Sequence, residues 1–360
     1  MHPSLITMIA VNGVAFRRDD KVVFTEARPR LRALDDIPLP SWNLFPLASY
    51  LDNGYGFGVN RGRSMPILAT RGCPYQCTFC SNPTMGGTRW VSRDPEQVLA
   101  EMLSYHKQYK IDNFDFYDLT AIVKKDWIVR FCNMAIDCGV NFTWQLPSGA
   151  RSEAIDSEVS ELLYKSGCRN MSYAPESGAP SVLKRIKKKI DLRDMEKSMR
   201  APIRNSINCK ANILIGFPNE THAEVFQTLW FTVRLAAIGI HDISFSPFSP
   251  FSPYPGSELF SDMRKSHLIT DYSDEFFYVL SAYTDITKTT SCSQHISNRA
   301  LGFYRIFGML MFYGMLYMIR PWRLIRTIRN VFGERQESRL EMSLRDLYIR
   351  LTKSKQAAAR

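Results

Sequence analysis

Outside one short stretch, these 360 residues contain no paired cysteines, no histidine pair at ligand spacing and no uncharged apolar run of the length that marks a confident transmembrane segment. Each absence excludes something. The eight cysteines fall at 73, 77, 80, 132, 138, 168, 209 and 292, without the even, dense spacing of a secreted disulfide framework. The N-terminal apolar stretch LITMIAV is too short for a signal peptide and no cleavage-like site follows it. A reducing, cytoplasmic compartment is therefore expected. Between Arg305 and Arg320 the segment Ile306 to Ile319 runs uncharged for fourteen residues, short of the roughly 20 that a spanning helix needs. Acidic residues are scarce at the C-terminal end, where residues 301–360 hold twelve Lys or Arg against four Asp or Glu. A basic tail points to an anionic partner. No recognition module accompanies the charge, so nucleic acid is not the expected partner.

What is present is an alternation of short apolar segments and capped helical segments, the pattern of a parallel α/β sheet. Residues 1–63 read as a hairpin (GVAFRRDDKVVFTEA, turning at Arg18–Asp20) and a proline-punctuated linker. PILAT (66–70) starts the alternation. RDPEQVLAEML follows, with Asp94 as N-cap, Pro95 at the first helical position and Gln97 placed for a capping box. NFDFYDL, FTWQL, NMSYA, CKANILIG and HDISFSPF supply five further strands, with helices expected at 125–138, over DSEVSELLYKS and at 219–238. Six such repeats suit a partial (β/α)6 TIM-like barrel over 64–265, with its chemistry at the C-terminal ends of the strands. Residues 266–360 read as a helical, basic extension.

Two readings of LGFYRIFGMLMFYGMLYMIRPW (301–322) stand side by side. The stretch and the arginines at 320, 323, 326 and 329 describe a helix lying in a membrane interface. They equally describe a buried helix followed by a solvated basic face. The run LKRIKKKIDLR (183–193) reads first as a solvated helix end and second as a headgroup site.

The stretch TRGCPYQCTFCSNP (70–83) is the exception to the scarcity of clustered ligands, with Cys73, Cys77 and Cys80 spaced CxxxCxxC. Structural zinc would recruit a fourth ligand from a second pair, and none exists. A four-iron cluster on three thiolates would instead leave one iron open to a small molecule. CxxxCxxC with Phe79 before the last cysteine, directly after the first strand, resembles the signature of the radical S-adenosylmethionine superfamily. That resemblance implies a [4Fe–4S] cluster on Cys73, Cys77 and Cys80, and S-adenosylmethionine on the open iron. It also implies an external one-electron reductant and a 5′-deoxyadenosyl radical that abstracts hydrogen from a substrate.

Further segments match in order. Tyr117 and Asp118 end the second strand, where the family contacts the cofactor's amino end; capping of the next turn is the alternative for Asp118. Arg151 could pair with the cofactor carboxylate, or stand as an exposed loop arginine. YAPESG resembles the segment whose carboxylate binds the ribose hydroxyls, which points to Glu176 with Ser177 and Gly178 beside it. ILIGFPNET, with Gly216, resembles the glycine segment beside the adenine, and SPYPGSELF the turn after the sixth strand.

The set looks most like the branch that carries a cobalamin-binding domain ahead of the barrel, with 1–63 resembling that domain's tail. The cobalt-ligating DxHxxG motif is missing, and His2 is the sole histidine before residue 106. Cobalamin is thus not expected on this chain alone. The expectation is a radical enzyme acting on a small-molecule substrate, a lipid or isoprenoid among the candidates, at the inner face of the membrane. The alternatives are a methylthiotransferase-like enzyme and a catalytically silent, membrane-peripheral iron–sulfur scaffold.

Overall fold

The computed structural model describes residues 9–243, 248–270, 273–281, 285 and 288–358. The chain forms two compact units, Met1–Pro38 and Leu39–Arg360. In the first, β1 (Ala15–Arg18) pairs antiparallel with β2 (Lys21–Phe24). Asp19 and Asp20 between them have φ of 47° and 60°, the two left-handed positions of a type I′ hairpin turn.

The second unit begins with α1 (Leu47–Asp52), β3 (Ser64–Ile67) and β4 (Thr70–Arg71). After the cysteine loop come α2 (Asn82–Met85) and β5 (Val91–Ser92). β4 and β5 pair antiparallel and clasp the two ends of that loop. The chain continues through α3 (Pro95–Tyr109), β6 (Asn113–Phe116), α4 (Lys125–Asp137), β7 (Thr143–Ala150) and α5 (Ser157–Lys165). Next follow β8 (Cys168–Glu176), α6 (Pro180–Arg185), α7 (Leu192–Arg204), β9 (Asn208–Ile215) and α8 (His222–Ile238). Asp94 does cap α3, but its carboxylate accepts from the N–H of Glu96, without the expected reciprocal bond from Gln97.

The strands form one open parallel sheet in the order β3-β6-β7-β8-β9-β10, with β10 (Asp242–Ile243) at one edge and β3 at the other. The expected sixth strand is realised as two short pieces, β10 and β11 (Ser249–Pro250), both parallel to β9. Residues 244–247 between them lie outside the described residues. This is the expected six-position partial barrel.

β6 shows why these residues make a barrel strand. Phe114 and Phe116 point outward, meeting Phe142 at 4.9 Å and Phe131 and Trp144 at 5.8 and 5.2 Å between ring centroids. Asn113 and Asp115 point the other way. Gln145 donates to Asp115 at 2.7 Å, and the N–H of Gly58 does so at 2.8 Å. Burial pushes the Asp115 carboxyl up from its ordinary value. Period-two alternation thus separates an aromatic outer layer from a polar lumen.

Glu224 illustrates how a helix N-terminus is fixed. Thr221 and Glu224 form a capping box at the start of α8, and Arg185 of α6 donates to both Glu224 oxygens at 2.7 and 2.9 Å. The pair with Arg185 pulls the carboxyl down to about 2. A depressed carboxyl contributes fully above its unfolded value and loses that contribution as pH falls towards 2. Glu224→Ala should cost about 2 kcal/mol at neutral pH. Urea melts of wild type and variant should converge as pH drops from about 5 to 2.

The C-terminal region holds α9 (Glu258–Lys265), α10 (Asp274–Ser281), α11 (Asn298–Ile319), α12 (Pro321–Phe332) and α13 (Arg339–Ala358). α11 buries Leu301, Tyr304, Phe312 and Leu316 along one face, each such burial stabilising by about 1.5–3 kcal/mol. Gly308 lets it approach closely: a Cβ there would lie 2.6 Å from the side chains of Leu229 on α8 and of Phe248. Arg305, fully buried, donates from Nε to the Phe248 carbonyl at 2.8 Å and from Nη1 to Thr289 at 2.6 Å.

The arginine stripe corrects an expectation. Arg320 donates to the carbonyls of Ala236 and Ala237 at 3.0 Å, and Arg323 to that of Gly239 at 3.1 Å. These are the open carbonyls at the C-terminus of α8, where cations are favoured. Arg326 pairs with Glu337 at 3.2 Å. Three of the four arginines thus face the protein, and Arg329 alone stays exposed.

Leu39–Arg360 is one unit because both flanks of the barrel are packed onto it, so the compact units do not divide at the expected 63/64 and 265/266 boundaries. Besides α11, the linker residue Arg61 donates to Asn170 at 2.6 Å, and Gln336 donates its N–H to the Asn60 carbonyl at 3.0 Å.

Candidate functional site

The chemistry-bearing residues follow the C-terminal ends of the strands: the cysteine loop after β3, Tyr117 and Asp118 after β6, Arg151 after β7, Glu176 at the end of β8 and Gly216 after β9. The loop is held by backbone bonds on both sides. Thr78 donates its N–H to the Ile186 carbonyl at 3.0 Å and accepts from the N–H of Leu259 at 2.9 Å. Asn82 fastens the loop to itself. Its Nδ2 donates to the Gly87 carbonyl at 3.1 Å and its N–H to the Cys80 sulfur at 3.4 Å. Thr120 donates to the Cys73 sulfur at 3.5 Å.

Cys73, Cys77 and Cys80 line one cavity of about 160 Å³ with Tyr75, Phe79, Arg151, Glu176 and Lys188. All three are free thiols. Burial pushes the Cys77 thiol up, while the Lys188 ammonium opposes that shift. Burial also raises the Cys80 thiol, against the Asn82 N–H. Among the described residues, no three His, Cys, Asp or Glu side chains converge on a single ion position. Three thiols lining one cavity are a soft donor set that suits a multi-iron cluster with one thiolate per iron.

Glu176 sits where the β8–β9 register shifts, in a left-handed conformation with φ of 66°. Such a backbone is costly for a residue with a side chain, and here it ends the strand on a buried carboxylate that lines the cavity. Lys188 donates to it at 3.0 Å, both side chains being 10% exposed. Lys188 belongs to the run expected as a solvated helix end. Neighbouring Arg185 and Lys187 pair with Glu224 and Glu258 at 2.7 Å, and Lys188 turns inward.

Arg151 donates to the Lys189 carbonyl at 2.9 Å and to Glu153 at 2.6 Å. Its guanidinium lies over the Tyr75 ring at 3.7 Å. Its Nε is buried without a hydrogen-bond partner, a donor left over for a ligand. Phe79 lines the same cavity and meets Phe217 edge-on at 5.8 Å; Phe217 lies 5.0 Å from Phe251. Phe251 lines a second cavity of about 400 Å³ with Met263, Leu268, Ile269, Phe276 and Leu280. Three rings separate the two chambers.

Four expected site residues are directed elsewhere. Asp118 accepts from the N–H groups of Ala69 and Thr70 and from the Thr70 hydroxyl. It fastens the segment before the cysteine loop, far from it in the chain, and not the turn that follows Asp118, which was the structural role expected from the sequence. Burial raises its carboxyl to about 6. Tyr117 is half-exposed and meets Phe57 at 5.2 Å. Ser177 shares a 2.9 Å hydrogen bond with Thr228 of α8. Gly216, at φ of 87°, donates its N–H to Glu220, whose buried carboxyl is raised to about 7. These residues shape the strand ends without lining the thiol cavity. Asn82, Thr120, Tyr75 and Lys188 were missed. Of these, Asn82 and Tyr75 had a signal in lying within the motif itself.

The model of the radical SAM superfamily matches residues 67–231. An uncharacterized methyltransferase of Pyrococcus horikoshii is 29% identical over 247 residues, 69% of this chain and 50% of its own. The anaerobic magnesium-protoporphyrin IX monomethyl ester cyclase of Rubrivivax gelatinosus is 26% identical over 305 residues, 83% of this chain and 51% of its own. The radical S-adenosylmethionine methyltransferase TsrM of Kitasatospora setae, solved with cobalamin and a [4Fe–4S] cluster, superposes with a TM-score of 0.56. That match has 18% identity and covers 75% of this chain and 55% of that one, and it shows the fold alone. The chain spans about half the length of the curated relatives it matches.

Proposed function

We propose that this chain, whose residues 67–231 match the model of the radical SAM superfamily, is an enzyme using a three-cysteine iron–sulfur cluster and S-adenosylmethionine on a small molecule. The observation that carries this reading is the convergence of Cys73, Cys77, Cys80, Arg151, Glu176 and Lys188 on one cavity at the strand ends. When bound there, the cluster and S-adenosylmethionine supply reductive cleavage to a 5′-deoxyadenosyl radical, with an electron from an external reductant.

The chain's own residues do the positioning. Cys73, Cys77 and Cys80 would ligate iron. Arg151, with its spare Nε, suits a carboxylate. Glu176, held in place by Lys188, suits the paired hydroxyls of a ribose. The chamber beyond Phe79, Phe217 and Phe251 has an apolar part (Met263, Leu268, Ile269, Phe276, Leu280) and a polar part (Lys288, Thr290, Ser293, Gln294), which suits an amphipathic substrate such as a lipid or isoprenoid with a polar head. A methylthiotransferase-like reading needs a second cluster. The other described cysteines are dispersed between the core, an exposed helix end and the second chamber.

Anaerobic reconstitution should load one four-iron cluster per chain and release 5′-deoxyadenosine from S-adenosylmethionine when membrane lipid extract is added. An iron count of two clusters would sink the single-site reading, and a loaded protein that releases no deoxyadenosine would be a scaffold. S-adenosylhomocysteine alongside deoxyadenosine would identify methyl transfer. Glu176→Gln should weaken S-adenosylmethionine binding about tenfold or more, the loss of a charge-assisted contact, at unchanged iron content. Unchanged affinity by calorimetry would return Glu176 to a structural role.

A further inference from the structure

From residue 286 to 333 the chain contains no Asp or Glu. This acid-free stretch includes α11 and α12, and its tertiary setting inverts the usual amphipathic arrangement. The buried side of the pair holds the cations: Arg305 in the core, Arg320 and Arg323 on the end of α8. The outward side holds the apolar residues. On α11, Phe303, Ile306, Leu310 and Met318 recur at helical spacing and are exposed; on α12, Trp322 is 62% and Ile325 71% exposed. Between Ala300 and Ile319 every exposed residue is apolar or glycine. α8 extends the same surface with Trp230, which is 62% exposed. Apolar side chains exposed along two successive helices, with no charged or polar exposed residue between Ala300 and Ile319, mark an interaction site.

We propose that the outward face of α11 and α12 docks this protein flat on a phospholipid membrane by inserting those apolar side chains. Charge complementarity favours lipid as the occupant. The face presents no carboxylate to repel phosphate. Its exposed cations, Arg299 beside the start of α11 and Arg329 near the end of α12, stand at opposite ends, where headgroups would lie. Tryptophan at the bend between the helices suits the boundary between acyl chain and headgroup. α11 is long and apolar enough to cross a bilayer by length and composition. Its other face, including Arg305, is fastened to the barrel, so the helix lies in the interface instead of spanning it. The driving force is therefore apolar burial; Arg320, Arg323 and Arg326, already bonded to protein, contribute little of it.

Co-sedimentation of the full chain with vesicles tests this. Binding should occur on pure phosphatidylcholine as well as on vesicles containing phosphatidylglycerol. It should change less than about threefold between 0.1 and 1 M salt, a range that shortens the screening length from about 10 to 3 Å. Phosphatidylcholine with brominated chains should quench tryptophan emission, and Trp322→Phe should lose part of that quenching. Leu310→Asp and Ile325→Asp, both at exposed positions, should each lower the bound fraction about tenfold. Unchanged thermal melts would show that the fold survives. Binding confined to anionic vesicles and abolished by salt would overturn the proposal in favour of electrostatic adsorption. No vesicle binding, with a dimer in solution that Ile325→Asp dissociates, would overturn it in favour of a second copy of this chain. No binding and no self-association would overturn it outright. None of these measurements requires the cluster, so the enzyme reading stands or falls separately.

Discussion

Cys77→Ala should fold, melt within a few degrees of wild type, and fail to hold iron. The thiol lies in a loop at a cavity wall, and the loop is held by the backbone bonds of Thr78 and by Asn82, none of which passes through the Cys77 side chain. Removing it leaves two thiolates, too few for the cluster that the cavity is built to take. Cys73→Ala and Cys80→Ala should behave alike. The control is Cys132→Ala, which has the opposite signature. Cys132 is fully buried and lies 3.3 Å from the Ser166 hydroxyl, which keeps the Leu163 carbonyl at 2.9 Å when the sulfur is removed, so the loss is chiefly a small cavity. That variant should lose about 1–2 kcal/mol of stability while keeping its iron. Iron and sulfide assays with thermal melts on both variants separate ligand from filler. Equal iron loss in the two would show that the cysteine loop is not the ligand set.

Asp118→Ala should be the most damaging single change near the site that touches no ligand. Its carboxylate satisfies the N–H groups of Ala69 and Thr70 and the Thr70 hydroxyl. Truncation strands three buried donors, a loss of about 3 kcal/mol or more. Thr70 is also the first residue of the clasp that β4 makes with β5 around the cysteine loop. Loosening it should reduce iron content as well as stability, whereas Cys132→Ala reduces stability alone. The pH dependence provides a second check. Because burial raises this carboxyl to about 6, the folded state holds its proton more tightly than the unfolded chain. Its contribution therefore falls as pH rises from about 4 to 6. Asp118→Asn should remove that slope from the stability profile. A slope that persists in the Asn variant would assign the titration to another group.

Much of the molecule was legible in the sequence because it is written in local spacing. The order of strands and helices follows from alternation of period two and from caps such as Asp94, which act within four residues of themselves. The three cysteines stand out for the same reason, being close in the chain, and the absence of a partner pair was enough to argue against zinc. Glu176 and Arg151 are found in the thiol cavity because residues at C-terminal strand ends share one rim whatever the details of packing.

Tertiary structure decided what local spacing leaves open. A periodic pattern shows that a helix has two faces without saying which one meets the protein. For α12 the open carbonyls at the end of α8 took the arginines and left Trp322 and Ile325 outside. Lys188 had the same charge as its neighbours in the chain, and only the position of Glu176 drew it inward. Asp118 had a distant ligand or the turn that follows it in prospect, and it took instead the N–H groups of Ala69 and Thr70, brought beside it from another strand end. In each case the choice depended on which buried polar group most needed a partner. That is a property of the assembled fold, because the competing groups come from segments far apart in the chain.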